Sequence, residues 1–193
     1  MTFKNFILLV CNQKIIHIFK TVFVLQLKTE KMKQLILIRH AKSSWEAPLR
    51  DKDRPLTKKG ILDAHRVSLK LLDELPKTFT IWCSIAERAK ETAIIFSQNL
   101  SFPLDSILFN ENLYTFDVSQ LEKIVKSCSN DYDCVILFGH NGAITDFVNK
   151  FGSIFIENVP TSGVVILNFD TKSWEAIKKG TTQKTLFPKH LIE

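Results

Sequence analysis

The sequence lacks the features by which membrane proteins, zinc sites and nucleic-acid binders are usually identified. None of its apolar runs reaches the roughly 18 uninterrupted residues that a membrane helix needs. Its four cysteines show neither C-x-x-C spacing nor histidines at zinc-ligand distances along the chain. It has no arginine-rich or aromatic-interleaved stripe. We therefore expect a globular protein that binds neither nucleic acid nor a membrane.

The positive charge is concentrated at the N-terminus. Residues 1–31 hold five lysines and one glutamate, which account for +4 of the formal net charge of +6. The rest of the chain is nearly balanced, so the basic pI is mainly a property of this short segment. Charge alone therefore does not indicate an acidic partner for the body of the protein.

Residues 1–31 are predicted to be an N-terminal extension of one folded domain, residues 32–193. The apolar patches of the extension are broken by Lys14 and Lys20, and Met32 lies two residues before the first predicted strand. We interpret Met32 as the natural start and the extension as a product of gene calling. The alternative is a segment that lies on a membrane surface.

Two of the cysteines, Cys83 and Cys134, lie in apolar runs that are typical of strands. A cysteine in such a run is ordinarily a buried free thiol, which is typical of a reducing compartment. We therefore expect a cytoplasmic protein.

From Met32 onward, apolar runs of strand length alternate with segments of helical periodicity, which predicts an α/β protein with helices on both faces of the sheet. Thr57 is predicted to cap the first helix. The further predicted helices are Ala86–Asn99, Val118–Cys128 and Ala143–Phe151. The predicted strands are Gln34–Arg39, Thr78–Cys83, Ile107–Phe109, Cys134–Phe138 and a terminal hairpin of Gly163–Phe169 with Ser173–Ile177.

Charged and imidazole side chains stand where three of these strands end. Arg39 and His40 follow the first strand, Arg88 opens the helix after the second, and His140 follows the fourth. The carboxyl ends of parallel strands meet at one edge of a sheet, where α/β proteins bind ligands. Imidazole is a nucleophile, and guanidinium groups bind phosphate oxygens. The pattern predicts phosphoryl transfer.

These residues belong to motifs that resemble the histidine phosphatase (phosphoglycerate mutase-like) superfamily, and within it the small phosphohistidine phosphatases of the SixA type. The resemblance covers about residues 33–179. An alanine, Ala41, stands where the superfamily's Arg-His-Gly signature has glycine. The matching motifs, in chain order, are Arg39-His40-Ala41, residues 53–60 (DRPLTKKG), residues 84–92 (SIAERAKET) and Gly139-His140-Asn141.

The resemblance implies a three-layer α/β/α sandwich with a mostly parallel sheet, and a reaction that needs no metal or organic cofactor. It implies that His40 becomes a covalent phosphohistidine, which water then hydrolyses. The implied phosphate pocket consists of Arg39, Arg88 and His140. Glu111 is the candidate proton donor, and the candidate substrate-binding residues are Ser43, Arg54 and Asn141.

Three of these candidates have simpler interpretations. Glu111 is equally well explained as a solvated loop carboxylate. Arg54 is close in sequence to Asp51 and Asp53 and can pair with either at the surface. The Ser43 hydroxyl can cap the turn after the strand.

Only 18 residues separate Thr92 from Glu111, which leaves no room for the helical lid of the larger relatives. An open site suits a phosphoryl group carried by a protein, so the predicted substrate is phosphohistidine in a protein, with a histidine phosphotransfer domain as one such partner. The alternatives are a phosphatase of a small phosphorylated metabolite and a non-catalytic phosphate-binding module.

Overall fold

A computed structural model describes residues 32–191, and in it the apolar run after Met32 forms the first strand, β1 (Lys33–Arg39). Its side chains alternate between two faces, and Leu35–Ile38 are completely buried. A strand that is apolar on both faces must be covered on both sides. The predicted extension, residues 1–31, lies outside the described residues.

Within residues 32–191, the sheet has six strands in the order β3-β2-β4-β1-β5-β6. The strands β1 to β4 are mutually parallel, whereas β5 and β6 run antiparallel at one edge, so the predicted mostly parallel sheet is confirmed. The remaining strands are β2 (Thr80–Ser84), β3 (Leu108–Asn110), β4 (Cys134–Gly139), β5 (Val164–Phe169) and β6 (Thr181–Leu186).

In the part of the chain that the structure describes, two helices cover each face of the sheet, which confirms the predicted three layers. Helices α1 and α2 pack on the face that carries Ile36 and Ile38. Helices α3 and α4 pack on the face that carries Leu35 and Leu37. The helices are α1 (Lys58–Leu71), α2 (Glu87–Asn99), α3 (Val118–Lys126) and α4 (Ala143–Phe151).

The start of α1 is fixed against the loop that follows β1. Thr57 caps the helix as predicted, since its side-chain oxygen accepts from the Gly60 amide at 3.0 Å. A Cβ atom at Gly60 would overlap the carbonyl oxygen of Lys42. Glycine therefore allows the first turn of α1 to lie directly on the loop that carries the site.

The predicted terminal hairpin is wrong in its second strand. The strand that pairs with β5 is β6, not Ser173–Ile177. That segment turns into the core instead, because Trp174 is completely buried and its indole N–H donates to the Tyr132 carbonyl at 2.7 Å. An apolar run next to a strand is thus explained by a buried loop.

The thiols that the structure describes agree with the prediction of buried free cysteines. Cys83, Cys128 and Cys134 are buried and unpaired, whereas Cys11 lies outside the described residues. Burial raises the pKa of Cys128 to about 11 and that of Cys134 to about 12. In residues 32–191, no helix is both long and apolar enough to cross a membrane.

Candidate active site

The register between β1 and β4 brings the two predicted histidines together. Arg39 lies opposite Gly139, so the next residues, His40 and His140, leave the sheet side by side. The His40 amide donates to the Gly139 carbonyl at 3.1 Å, and the two ring centroids are 5.2 Å apart. His140 is 1% exposed and His40 is 8% exposed. Both rings are therefore held by the sheet, and His40 reaches the surface.

The hydrogen bonds of His40 define its tautomer. Its Nδ1 lies 2.8 Å from the Ala41 carbonyl oxygen. Because a carbonyl can only accept, Nδ1 carries the proton and Nε2 carries the lone pair. This lone pair accepts from Nε of Arg88 at 3.1 Å. The nitrogen that can attack phosphorus therefore faces a cation.

His140 has the opposite tautomer. A terminal nitrogen of Arg88 donates to its Nδ1 at 3.2 Å. The proton of the neutral ring therefore lies on Nε2, which donates to the Ser84 hydroxyl at 2.8 Å. Ser84 is completely buried at the end of β2. Its hydroxyl can also donate, so it can accommodate either tautomer of His140.

Arg88 connects the histidines to an acidic residue on the opposite wall. It is 1% exposed in the first turn of α2. Its guanidinium donates to both histidines, to the Asp51 carbonyl, and to the Asp51 carboxylate at 2.9 Å. The planar fork is thus fixed in the position where its donors reach both rings.

Asp51 organises the wall of the site. Its carboxylate accepts from Arg88, from the Tyr114 hydroxyl at 2.6 Å and from Arg54 at 2.8 and 3.1 Å. Burial raises the pKa of Asp51, but the hydrogen bonds from Tyr114, Arg88 and Arg54 outweigh burial and lower it to about 2. Asp51 is therefore a carboxylate at neutral pH.

Arg54 joins this wall and does not form a simple surface pair. It is 6% exposed, and besides Asp51 it donates to the Ser43 hydroxyl at 3.0 Å. Its guanidinium carbon lies 3.4 Å from the centroid of the Trp45 ring. The structure thus brings the predicted residues Ser43 and Arg54 together at the site.

Arg39 is oriented from the segment that follows α4. Its terminal nitrogen donates to the Val159 carbonyl at 2.8 Å and to the Asn158 side-chain oxygen at 3.4 Å. The same Asn158 oxygen accepts from Asn141 at 2.8 Å. Within the described residues, Nε of Arg39 is buried and has no hydrogen-bond partner. One buried donor of Arg39 is therefore unsatisfied at the site.

These side chains line an open cleft of about 440 Å³ at the carboxyl edge of the sheet. Its walls carry four cationic side chains and the exposed rings of two aromatic residues. The lining residues are Arg39, His40, Lys42, Ser43, Trp45, Asp51, Arg54, Arg88, Phe116, Asn141 and Thr161.

Both imidazoles are neutral at pH 7. Burial lowers the pKa of His40 to about 4, and the guanidinium groups of Arg88, Arg39 and Arg54 act in the same direction. Burial, together with His40 and Arg88, lowers the pKa of His140 to about 3. His40 is therefore a free base with its lone pair available over the whole neutral range.

Glu111 does not reach this cleft. It is exposed on the 3-10 turn Glu111–Leu113 after β3, and it is not among the lining residues. The same turn instead directs Tyr114 toward Asp51. The sequence analysis missed Asp51, Tyr114 and Ser84 as site residues, although Ser84 begins the motif at residues 84–92.

Within residues 32–191, no group of three or more histidine, cysteine, aspartate or glutamate side chains could hold a metal ion.

Comparison with known proteins agrees with this geometry. Residues 35–123 match the family described as "Histidine phosphatase superfamily (branch 1)". An uncharacterized chloroplastic protein of Arabidopsis thaliana is 30% identical over 158 residues, which are 76% of this chain and 71% of the relative.

Two solved structures share the fold at low identity. The protein histidine phosphatase SixA complexed with tungstate is 20% identical with a TM-score of 0.68, over 82% of this chain and 99% of that one. Mycobacterial glucosyl-3-phosphoglycerate phosphatase is 13% identical with a TM-score of 0.58, over 79% and 97%. The family match and the plant relative establish that this chain belongs to the histidine phosphatase superfamily, and the solved structures share its fold.

Proposed function

We propose that the protein hydrolyses phosphohistidine carried by another protein, through a phosphorylated His40 intermediate. The observation that carries the mechanism is the hydrogen bond from Nδ1 of His40 to the Ala41 carbonyl. It leaves the Nε2 lone pair as the nucleophile, and the low pKa of His40 keeps that nitrogen unprotonated at pH 7.

The phosphoryl group would replace contacts that the free protein makes internally. Arg88 now donates to the lone pairs of two neutral imidazoles. Charged phosphate oxygens are stronger acceptors than a neutral ring, so they can take over these donors. The unsatisfied Nε of Arg39 offers another donor. Stabilising charge on the equatorial oxygens is the main task of a phosphoryl-transfer site.

In the first step, Nε2 of His40 forms a bond to phosphorus and the bond from phosphorus to the substrate imidazole breaks. When the other ring nitrogen of the substrate is protonated, the departing electron pair leaves a neutral imidazole. In the second step, water attacks phosphohistidine-40, which releases inorganic phosphate and restores the His40 lone pair. Arg39, Arg88 and His140 bind the phosphate oxygens in both steps.

The acid-base character of the cleft favours a phosphorus–nitrogen substrate. Within the described residues, Asp51 is the only carboxylate that lines the cleft, and its pKa of about 2 prevents it from donating a proton at pH 7. A sugar alkoxide is a poor leaving group without an acid. An imidazole ring that titrates near neutrality needs no such help.

The lack of a cover also supports a phosphoryl group carried by a protein. Between α2 and β3 the chain forms only the 3-10 turn Leu104–Ser106, so within the described part no added helix follows α2 there.

Arg54, Ser43 and Asn141 lie on the cleft walls. We assign them to substrate binding, with Arg54 and Ser43 on one wall.

The test offers the full-length protein a phosphorylated histidine phosphotransfer domain and, in parallel, a panel of sugar phosphates. We expect release of phosphate from the protein substrate and slow turnover of the sugar phosphates. Preferential turnover of a sugar phosphate would identify a metabolite phosphatase instead. His40→Ala is expected to abolish all turnover. Unchanged turnover in this variant would contradict the mechanism.

A further inference from the structure

We propose that Trp45 and Phe116 form an aromatic clamp that binds the leaving imidazole of the substrate; the proposal rests on the function proposed above. Both side chains line the catalytic cleft. They are 74% and 54% exposed, whereas most large aromatic side chains of a folded domain are buried. The phosphate oxygens are assigned to Arg39, Arg88 and His140. The two aromatic rings are therefore available for another part of the substrate.

Each ring of the clamp contacts a residue of the candidate site. Trp45 stacks on Arg54 at 3.4 Å, and Arg54 is in turn fixed by Asp51 and Ser43. The Phe116 ring lies 5.3 Å from the His140 ring. The clamp is therefore organised before a ligand arrives, which reduces the entropy that binding would cost.

The direction of attack places the leaving group against the clamp. His40 and Arg88 line the cleft, and both are nearly buried. In-line displacement requires the leaving group opposite the attacking Nε2, which is toward the open mouth. Trp45 and Phe116 line the cleft and are its exposed rings, so we place the leaving group against them.

The chemistry of the clamp fits a flat heteroaromatic ring. In the form that leaves without an acid, the phosphorylated imidazole carries a proton on its second nitrogen. A protonated ring is attracted to the faces of tryptophan and phenylalanine by stacking and by cation–π interaction. When the phosphorus–nitrogen bond breaks, the electron pair moves to the ring and neutral imidazole departs from the clamp. The clamp therefore confers selectivity for phosphorylated imidazole among phosphorus–nitrogen compounds.

The experiment compares two small substrates that contain the same kind of bond. The leaving group of phosphoimidazole is a flat ring. The leaving group of phosphoramidate is ammonia, which is too small to contact the clamp. Full-length wild type, Trp45→Ala and Phe116→Ala are measured with both substrates. Phe155→Ala is the matched control, because Phe155 is 82% exposed and does not line the cleft.

We expect each clamp variant to lower kcat/KM for phosphoimidazole by about three- to tenfold, the range of an aromatic pair. Phosphoramidate should change less than about twofold, and Phe155→Ala should affect neither substrate. Trp45→Phe should restore most of the loss. Equal losses with both substrates, or no loss with phosphoimidazole, would overturn the clamp.

Failure of the clamp is distinguishable from failure of the proposed function. If wild type hydrolyses both compounds and the variants behave alike on both, only the clamp is wrong. If wild type hydrolyses neither compound, the proposed function is wrong and the clamp is wrong with it.

Discussion

The sheet buries one cation at the amino ends of its parallel strands and another at their carboxyl ends. The hydrogen-bond acceptors of the two cations differ. At the amino end of β1, Lys33 is 1% exposed, and its ammonium group donates to Asn130, Tyr132 and Asp133 at 2.7 to 2.9 Å. All three donors of that group are used. At the carboxyl edge, Arg88 is equally buried, but two of its donors rest on neutral histidine rings.

The difference separates a structural cation from a functional one. A cation whose donors all meet oxygen atoms has nothing left for a ligand, and it ties the loop at residues 130–133 to the sheet. Arg88 is also anchored by the Asp51 carboxylate, but its donors to the two neutral histidine rings meet weak acceptors and can turn to an anion. Nε of Arg39 likewise has no partner in the described residues. Burial of a charge alone thus does not identify a site; the quality of its partners does.

Arg88→Lys is expected to have the largest effect, at the functional edge, which is the carboxyl edge of the sheet. Lysine keeps the charge but cannot reach both histidines and Asp51 in one plane. We expect kcat/KM to fall by about 100- to 1000-fold, as for loss of a fixed transition-state donor. The measurement is steady-state hydrolysis of phosphoimidazole. Arg66→Lys, at a half-exposed surface pair with Asp63, is the matched control and should change little. Near-normal activity of Arg88→Lys would contradict the role assigned to the fork.

Lys33→Met should destabilise the structural edge, at the amino end of β1, and leave the site intact. Methionine removes the hydrogen bonds from Lys33 to the Asn130 and Tyr132 carbonyls and its ion pair with Asp133, so we expect a loss of about 3 kcal/mol in the free energy of unfolding. Urea denaturation measures it. Lys150→Met, at an exposed pair with Glu122, should cost less than about 1 kcal/mol. A fall in kcat/KM of folded Lys33→Met would show that the two edges are not separable.

The pH dependence of stability sharpens the comparison, because the low histidine pKa values belong to the functional edge. The unfolded chain binds a proton at each histidine near pH 6.5, whereas folded His40 binds one only near pH 4 and His140 near pH 3. The stabilising effect is therefore complete above pH 6.5 and is lost as the pH falls toward 4 and below. We expect a loss of about 3 kcal/mol per ring by pH 4.

Denaturation at several pH values measures this slope. His140→Asn removes one of the two groups, so its free energy of unfolding should fall less steeply between pH 6.5 and 4 than that of wild type. An unchanged slope would mean that His140 is not held neutral by its surroundings.

Ser84→Ala should have the smallest effect and a characteristic signature. The serine hydroxyl now accepts from Nε2 of His140. It can donate instead when Nδ1 must offer a proton to phosphate, which makes Ser84 a positioning residue. We expect a loss of about tenfold in kcat, with little change in KM. The nitrogen-15 NMR signal of Nε2 in His140 should shift in Ser84→Ala, because its N–H loses the hydroxyl acceptor, and Ser84→Thr should restore the wild-type signal. An unchanged spectrum would exclude this role.

Most of the fold follows from apolar patterning. The strands β1 and β4 are buried on both faces, so their runs are unmistakable, and the amphipathic helices carry clear periodicity. In contrast, β6 is a polar edge strand, TTQKTL, and no apolar run marks it. The segment around Trp174 has the apolar character of a strand, but it is buried through side-chain hydrogen bonds rather than a ladder.

The site divides in the same way. His40, Arg88 and His140 stand at strand ends, and strand ends can be located from sequence. Asp51 lies in a long loop whose path depends on the packing of α1 against Lys42, so its position next to Arg88 could not be inferred. Tyr114 is likewise delivered by a 3-10 turn that carries Glu111 away from the cleft.

The central claim is that Nε2 of His40 accepts the phosphoryl group. The most direct test mixes full-length protein with phosphoimidazole, quenches in alkali within milliseconds to seconds, and locates the phosphoryl group by mass spectrometry and phosphorus-31 NMR. We predict a single label on Nε2 of His40 and none in His40→Ala. A label on Nδ1, on His140 or on another residue, or full turnover by His40→Ala, would contradict the account.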